Sequence, residues 1–200
     1  ASARELVPNG STVLLMHFNN DTGTGENASL FLDNSTQQNN GTCNNLQGWC
    51  PIFNESNSKL GRAALQFNGS SSMYINVTTS KLDEALSGRN NFTIETWVKL
   101  NNIGQNSHGL VGKGEAGRLG FDFFITDTPA SSNGIYYLEF CYTDNGDENG
   151  QRTCYRTKVP DDGGQTDYGT ITDTNWHHIA AVVQVNESNL DKTKFYIDGV

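Results

Sequence analysis

Three carboxylates, Glu95 in NFTIETWVKL, Asp122 in GFDFFI and Glu139 in YYLEFCYT, sit in strand-like surroundings where acid and base chemistry is conceivable. Glycoside hydrolysis needs two such groups roughly 5 to 10 Å apart. Each of the three instead stands alone among hydroxyls and aromatics, which reads as a solvated or ion-paired strand carboxylate. His177 and His178 follow Trp176 on a strand-like run. Adjacent side chains of a strand point to opposite faces, so the two imidazoles cannot hold one metal. His17 and His108 have no acid and base partners near them in sequence, and no Ser, His and Asp grouping follows from spacing. Nucleophilic catalysis is unsupported, and a non-enzyme is expected. Calcium suits hard loop oxygens, for which Asp21, Asp33 and Asn34 are the candidates. Asn34 opens an N-glycosylation sequon, which leaves Asp21 and Asp33 as the metal candidates.

Four cysteines, Cys43, Cys50, Cys141 and Cys154, form two close pairs separated by a long gap. Three pairings are formally open, and the local one is simplest. The second pair can be tested against strand geometry, because NGDENG separates IYYLEFCYT from QRTCYRTKV as turn material. With Cys141 opposite Cys154, Glu139 faces Arg156 and Thr143 faces Arg152 on one side, while Phe140 faces Tyr155 on the other. One register thus yields an amphipathic hairpin and a cross-strand ion pair, which favours a disulfide. Neither pair has the short spacing of a zinc knuckle.

Sequons of the Asn-X-Ser/Thr type begin at Asn9, Asn20, Asn27, Asn34, Asn40, Asn54, Asn68, Asn76, Asn91 and Asn186. Chance placement of 34 Ser and Thr after 24 Asn would give about 4, so the ten observed indicate a glycoprotein. Disulfides and sequons together place the chain in an extracellular or cell-surface environment. Nine of the ten precede Phe92. Hydrated sugars obstruct close contact, so the second half is the expected place for packing against a partner. Thirteen Lys and Arg against 22 Asp and Glu leave a net charge of −9, which repels phosphate backbones and argues against nucleic acid. No apolar run reaches the ~18 residues of a membrane span, and Ala1 does not open a signal peptide; any such segment is expected to have been removed.

The elements that must position these residues are almost all strands. Residues 1–11 end in the turn-rich PNGS and read as a leader; TVLLMHF at 12–18 is the first strand candidate, and Asn19 to Lys59 reads as a long loop. Thereafter apolar residues recur with period two: Leu65 and Phe67; Met73, Ile75 and Val77; Phe92, Ile94, Val98 and Leu100; Phe121, Phe123 and Ile125; Tyr136, Leu138, Phe140 and Tyr142; Ile179, Ala181, Val183 and Val185; Phe195 and Ile197. Only KLDEALSG at 81–88 has helical spacing, and it is too short to stand without packing. Strands that bury one face must stack as two sheets. The fold expected is all-β, an antiparallel sandwich spanning 12–200.

TVLLMHFNND, LDNSTQQNNGT, GRAALQFNGSSSMYINV, NFTIETWVKL, LVGKG, WHHIAAVV and KFYIDGV follow in an order and spacing that resembles the laminin-G-like, concanavalin A-like lectin/glucanase superfamily over residues 12–200. The resemblance implies a jelly roll, a hairpin at 61–77, Trp97 and Trp176 packing the two sheets, and structural roles for His177 and His178. Glucanases of that fold carry Glu-X-Asp-X-Glu or a bulged version of it, which this chain lacks. Relatives also continue past Tyr-Ile-Asp-Gly with further strands. The chain is therefore expected to be a fragment, or to be completed by a neighbour's strand, with 1–11 as the exchanged segment. The expected role is contact: adhesion, or assembly of a surface layer or filament with other extracellular proteins or copies of itself. The alternative is a lectin-like module binding glycans, with or without Ca2+, which would draw its exposed aromatics from Tyr137, Tyr142, Phe124 and Trp49.

Overall fold

A computed structural model describes residues 5–69, 73–86, 91–103, 107–114, 120–127, 136–143, 152–157, 169–184 and 193–200. The chain divides into two compact units, Ala1–Gly88 and Arg89–Val200.

The first unit has little regular structure. Strand β1 (Leu30–Phe31) pairs with β2 (Gly41–Thr42), and β3 (Ile52–Asn54) with β4 (Ala64–Gln66), all antiparallel. A 3-10 turn covers Asn45–Gln47, and helix α1 covers Ser80–Leu86. The helix begins where its sequence spacing predicts. Thr79 caps it by accepting the Leu82 N–H at 3.2 Å.

Backbone polar groups outside ladders still need partners, and in this unit Asp33 supplies many of them. Its Oδ1 accepts the N–H groups of Leu15 and Ser35, both at 2.8 Å, and its Oδ2 accepts the Ser35 hydroxyl at 2.6 Å and the Asn39 N–H at 2.7 Å. Asn39, 1% exposed, donates to the Val13 carbonyl at 2.7 Å and accepts a short hydrogen bond from the Thr79 hydroxyl. One carboxylate and one amide therefore tie the segment at 12–18 to the loop after β1 and to the start of α1. The apolar anchor is Phe31, fully buried, with Phe18 and Phe53 at ring-centroid distances of 6.1 and 5.7 Å.

Two expectations are corrected here. TVLLMHF is not a strand: it forms no ladder, and its backbone groups go to Asp33, to Asn39 and, through Leu15, to the Asn34 N–H at 2.7 Å. Its apolar residues run continuously without alternating, so they suit no single pleated face. Nor is 61–77 a hairpin among the described residues. β4 pairs with β3, while Asn76 bridges to Thr42. Residues 5–11 also form no strand; Glu5 accepts from the Asn19 amide at 2.5 Å and the Leu6 carbonyl lies 3.0 Å from His17 Nε2.

The second unit carries two antiparallel sheets. One orders β11 (Lys194–Ile197), β10 (Trp176–Val183) and β5 (Phe92–Lys99); the other orders β6 (His108–Lys113), β7 (Gly120–Thr126), β8 (Tyr137–Thr143) and β9 (Arg152–Arg156). Their apolar faces meet. Phe92 lies against Phe121 at 5.2 Å and Phe140 at 6.1 Å, and Phe123 stacks on Phe195 at 6.5 Å. Phe121, Phe123, Ile125, Leu138, Phe140, Ile179, Ala181 and Val183 are all buried. The period-two sets of this unit thus fall on inner faces as expected, apart from Val185, which lies outside the described residues, as do the turn segments 128–134 and 160–164. Those of the first unit do not: Phe67 is 46% exposed, and Met73, Ile75 and Val77 are half-buried and belong to no strand. Trp97 and Trp176 correct another expectation. Trp97 shares its face of β5 with Thr93 and Glu95, and Trp176 pairs with Lys99 on that same side, opposite the face of Phe92 and Ile94. Neither packs the two sheets together, because each is one residue out of phase with the apolar set.

Removing a fully buried ring leaves a cavity as well as losing transfer free energy. Phe123→Ala is expected to cost about 3–5 kcal/mol, whereas Val111→Ala, at a site 39% exposed, should cost under about 1 kcal/mol. Denaturant unfolding of both variants checks this; equal costs would contradict the full burial of Phe123 next to its partly exposed cross-strand neighbour Val111.

Candidate functional site

Both local disulfides are formed, Cys43 with Cys50 and Cys141 with Cys154. The β8–β9 register is the one the cysteines imply: Glu139 opposite Arg156, Phe140 opposite Tyr155, Cys141 opposite Cys154 and Thr143 opposite Arg152. Glu139 Oε2 lies 3.4 Å from Arg156 Nε, and its Oε1 lies 3.3 Å from the Cys141 sulfur. The face is less polar than its sequence suggests. Tyr137, Glu139 and Cys141 are 1, 8 and 1% exposed, so Glu139 is a buried, ion-paired carboxylate and not a solvated one. Tyr137 is too deeply buried to stack on a ligand, and Tyr142, Phe124 and Trp49 are half-buried.

The sheet does bring two of the three carboxylates together. On β7, Asp122 pairs with Cys141 while Phe124 pairs with Glu139, so Asp122 and Glu139 are diagonal neighbours on one face, a spacing of about 7–8 Å in antiparallel sheets. Glu95 stands on the other sheet, 3.5 Å from His178. Of this diagonal pair, Glu139 is engaged by Arg156. Glu139, Cys141 and Cys154 also place ligand-type atoms within 4.8 Å of one another. The two sulfurs are bonded to each other, however, and offer a metal no thiolate.

Asp21 and Asp33 do not assemble a calcium cradle. Calcium takes six to eight oxygens, but both Asp33 oxygens are occupied by the four protein donors named above, and those bonds hold its pKa below 3.8 against the upward push of burial. Asp21 is exposed and accepts the Gly23 N–H at 3.1 Å. It lines a cavity of about 290 Å3 with Glu5, His17 and Glu26, to which Asp33 does not contribute. Glu26 is itself 4% exposed and accepts the Asp21 and Leu32 N–H groups.

The sequons are mostly accessible. Asn9, Asn27, Asn34, Asn40, Asn68, Asn76 and Asn91 are exposed, and Asn20 and Asn54 are half-buried. The Asn20 amide donates to Glu55 at 3.1 Å and the Asn54 amide to Gln66 at 3.0 Å. Asn186 lies outside the described residues.

A family model of the laminin-G type, in the concanavalin A-like lectin/glucanases superfamily, matches residues 67–200. The chain belongs to that family. No curated protein and no solved structure matches it.

In this laminin-G-like chain the WHH and YIDG segments meet at one turn. Asp198 and Gly199 both have positive φ, 53° and 86°, and Ile197 and Val200 exchange both backbone hydrogen bonds across them. That is a two-residue hairpin turn, for which Asp-Gly is a preferred pair. His177 and His178 diverge, as adjacent strand residues must. His178 Nε2 faces Glu95 at 3.5 Å, and its ring lies 5.3 Å from Trp97. His177 is clamped, with Nδ1 2.8 Å from Asp198 Oδ2 and Nε2 3.1 Å from Asp173 Oδ1. Asp198 also accepts the His178 N–H at 2.9 Å. Sequence reading missed both carboxylates, although Asp173 stands four residues before His177 and Asp198 opens the Asp-Gly turn.

Burial draws the His177 pKa down, but the hydrogen bonds and charges of Asp198 and Asp173 outweigh it and hold it above 6.5. Asp173 is held below 3.8 by the Asn175 N–H and then by His177. Burial raises Asp198, yet His177 and the His178 N–H bring it below 3.8. The His177 contribution is complete below pH 6.5 and is lost as pH rises through its raised folded pKa. The Asp contributions are complete above pH 3.8 and are lost as pH falls through their lowered ones. Wild type should therefore melt above His177→Gln by about 2–4 °C at pH 5.5, and the gap should close toward pH 9. A gap constant across that range would refute the clamp.

Proposed function

We propose that this laminin-G-like domain is a non-catalytic extracellular glycoprotein that works by contact, in adhesion or in building a surface layer or filament, with extracellular proteins or copies of itself as partners. The observation that carries this reading is the position and accessibility of its sequons. Seven of the nine described sequon asparagines are exposed, and all nine precede β5, so glycans would cover the first unit and Asn91 while the described strands of the second carry none. Two disulfides fit an oxidising compartment, and no helix of the described residues is long and apolar enough to cross a membrane. Glycoside hydrolysis is disfavoured because Glu139, one half of the diagonal pair, is committed to Arg156.

Electron microscopy of the protein expressed through a secretory pathway, with mass spectrometry of every sequon, tests this. Ordered polymers or a layer with occupied sequons are expected. Dispersed particles that bind one sugar selectively on a glycan array would replace contact with lectin activity. Turnover of a glycan substrate that disappears in Asp122→Asn and Glu139→Gln would overturn the non-catalytic assignment.

A further inference from the structure

The first unit has a groove of about 570 Å3 beside the Cys43–Cys50 loop, lined among others by Thr42, Asn44, Asn45, Leu46, Tyr74 and Asn76. Asn76 is also a sequon asparagine, so a lining residue is itself a point of attachment. We propose that this groove seats the first N-acetylglucosamine of a glycan carried on Asn76, with the sugar lying on Tyr74. The inference rests on the glycoprotein reading above and adds to it a fixed place for one sugar.

Backbone geometry aims the three relevant residues together. Tyr74, Asn76 and Thr78 are exposed while Ile75 and Val77 between them are half-buried, the alternation of an extended segment with one face in solvent. Asn76 is anchored, since its N–H donates to the Thr42 carbonyl at 2.7 Å and its carbonyl accepts the Thr42 N–H at 2.9 Å. Tyr74 is 52% exposed, and Leu46 on the disulfide loop is 99% exposed. The apolar C–H face of a pyranose suits an aromatic platform of this kind. Thr42, Asn44 and Asn45 supply hydroxyl and amide groups for its acetamide and hydroxyls.

Among the ten sequons only Asn20 also has an aromatic two residues before it. There Phe18 packs against Phe31 and both Phe18 and Asn20 have positive φ, so the ring is not presented beside the amide. In the attachment step the Asn76 amide nitrogen bonds to the anomeric carbon of a polyprenyl-pyrophosphate-linked oligosaccharide. The anomeric C–O bond to pyrophosphate breaks, the lipid pyrophosphate leaves with that electron pair, and the amide loses one proton.

The test uses the full chain secreted from eukaryotic cells, with site occupancy read by mass spectrometry. Thr78→Ala, which abolishes the sequon while keeping Asn76, should lower the melting temperature by about 2–4 °C. The same substitution should have no effect in a Tyr74→Ala background and its full effect in Tyr74→Phe. Trimming the glycan to one N-acetylglucosamine should leave the melting temperature unchanged, and that sugar's protons should show a ring-current shift in NMR spectra of the unsubstituted protein. Equal effects of Thr78→Ala in all backgrounds, or no ring-current shift, would overturn the inference. An empty Asn76 beside occupied sequons would overturn it alone; empty sequons throughout would overturn the glycoprotein reading as well.

Discussion

A sheet whose strands alternate apolar and polar residues has one face that water disfavours, and the second unit of this protein follows from that constraint. Phe92, Phe121, Phe123, Phe140 and Phe195 lie on such faces, and their ring contacts join the three-stranded sheet to the four-stranded one. Because side-chain direction has a period of two, the inward set also determines what the opposite faces carry. Asp122, Glu139 and both cysteines of the second disulfide share one outer face as a result, and Thr93, Glu95 and Trp97 share another. The His177 clamp sits at the end of β10 because the Asp-Gly turn after β11 returns beside it.

The first unit is organised on different chemistry. Its ladders are only two or three residues long, so loop backbone must find partners among side chains. A buried carboxylate accepting four hydrogen bonds does for that loop what strand pairing does elsewhere, and charge-assisted bonds are stronger than neutral ones. This explains why a residue type suited to calcium becomes a structural acceptor here. Close packing adds its own restriction: a Cβ at Gly41 would lie 2.5 Å from the Ile75 side chain, so the middle residue of the Asn40 sequon is fixed by the core beneath it.

Legibility in the sequence tracked the range of the interactions. The β8–β9 hairpin could be read because two cysteines fix a register that every other pair in it must obey. Strands β5, β7, β10 and β11 could be read because alternation is local. TVLLMHF misled because a continuous apolar run records burial without recording a partner, and its partners, Asp33 and Asn39, are some twenty residues away in sequence. Trp97 misled in another way: a large aromatic in a strand suggests the interior, yet phase relative to Phe92 and Ile94 puts it on the outer face. The Asp173–His177–Asp198 group needed the return of a hairpin that local spacing does not describe. Glu95, Asp122 and Glu139 looked isolated because the diagonal between Asp122 and Glu139 exists only once β7 and β8 are paired.

The Cys141–Cys154 bridge joins residues directly opposite each other on neighbouring strands. Under tension such a link behaves as a rivet. Force tending to peel β9 from β8 would have to stretch a covalent bond in parallel with the hydrogen bonds beside it, whereas β1 and β2 are joined by a two-residue ladder and the hydrogen bonds that flank it at Ser29 and Asp33, with no covalent link between the two strands. Mechanical yielding would therefore begin in the loop-rich first unit, which could lengthen while the riveted sheet kept its shape.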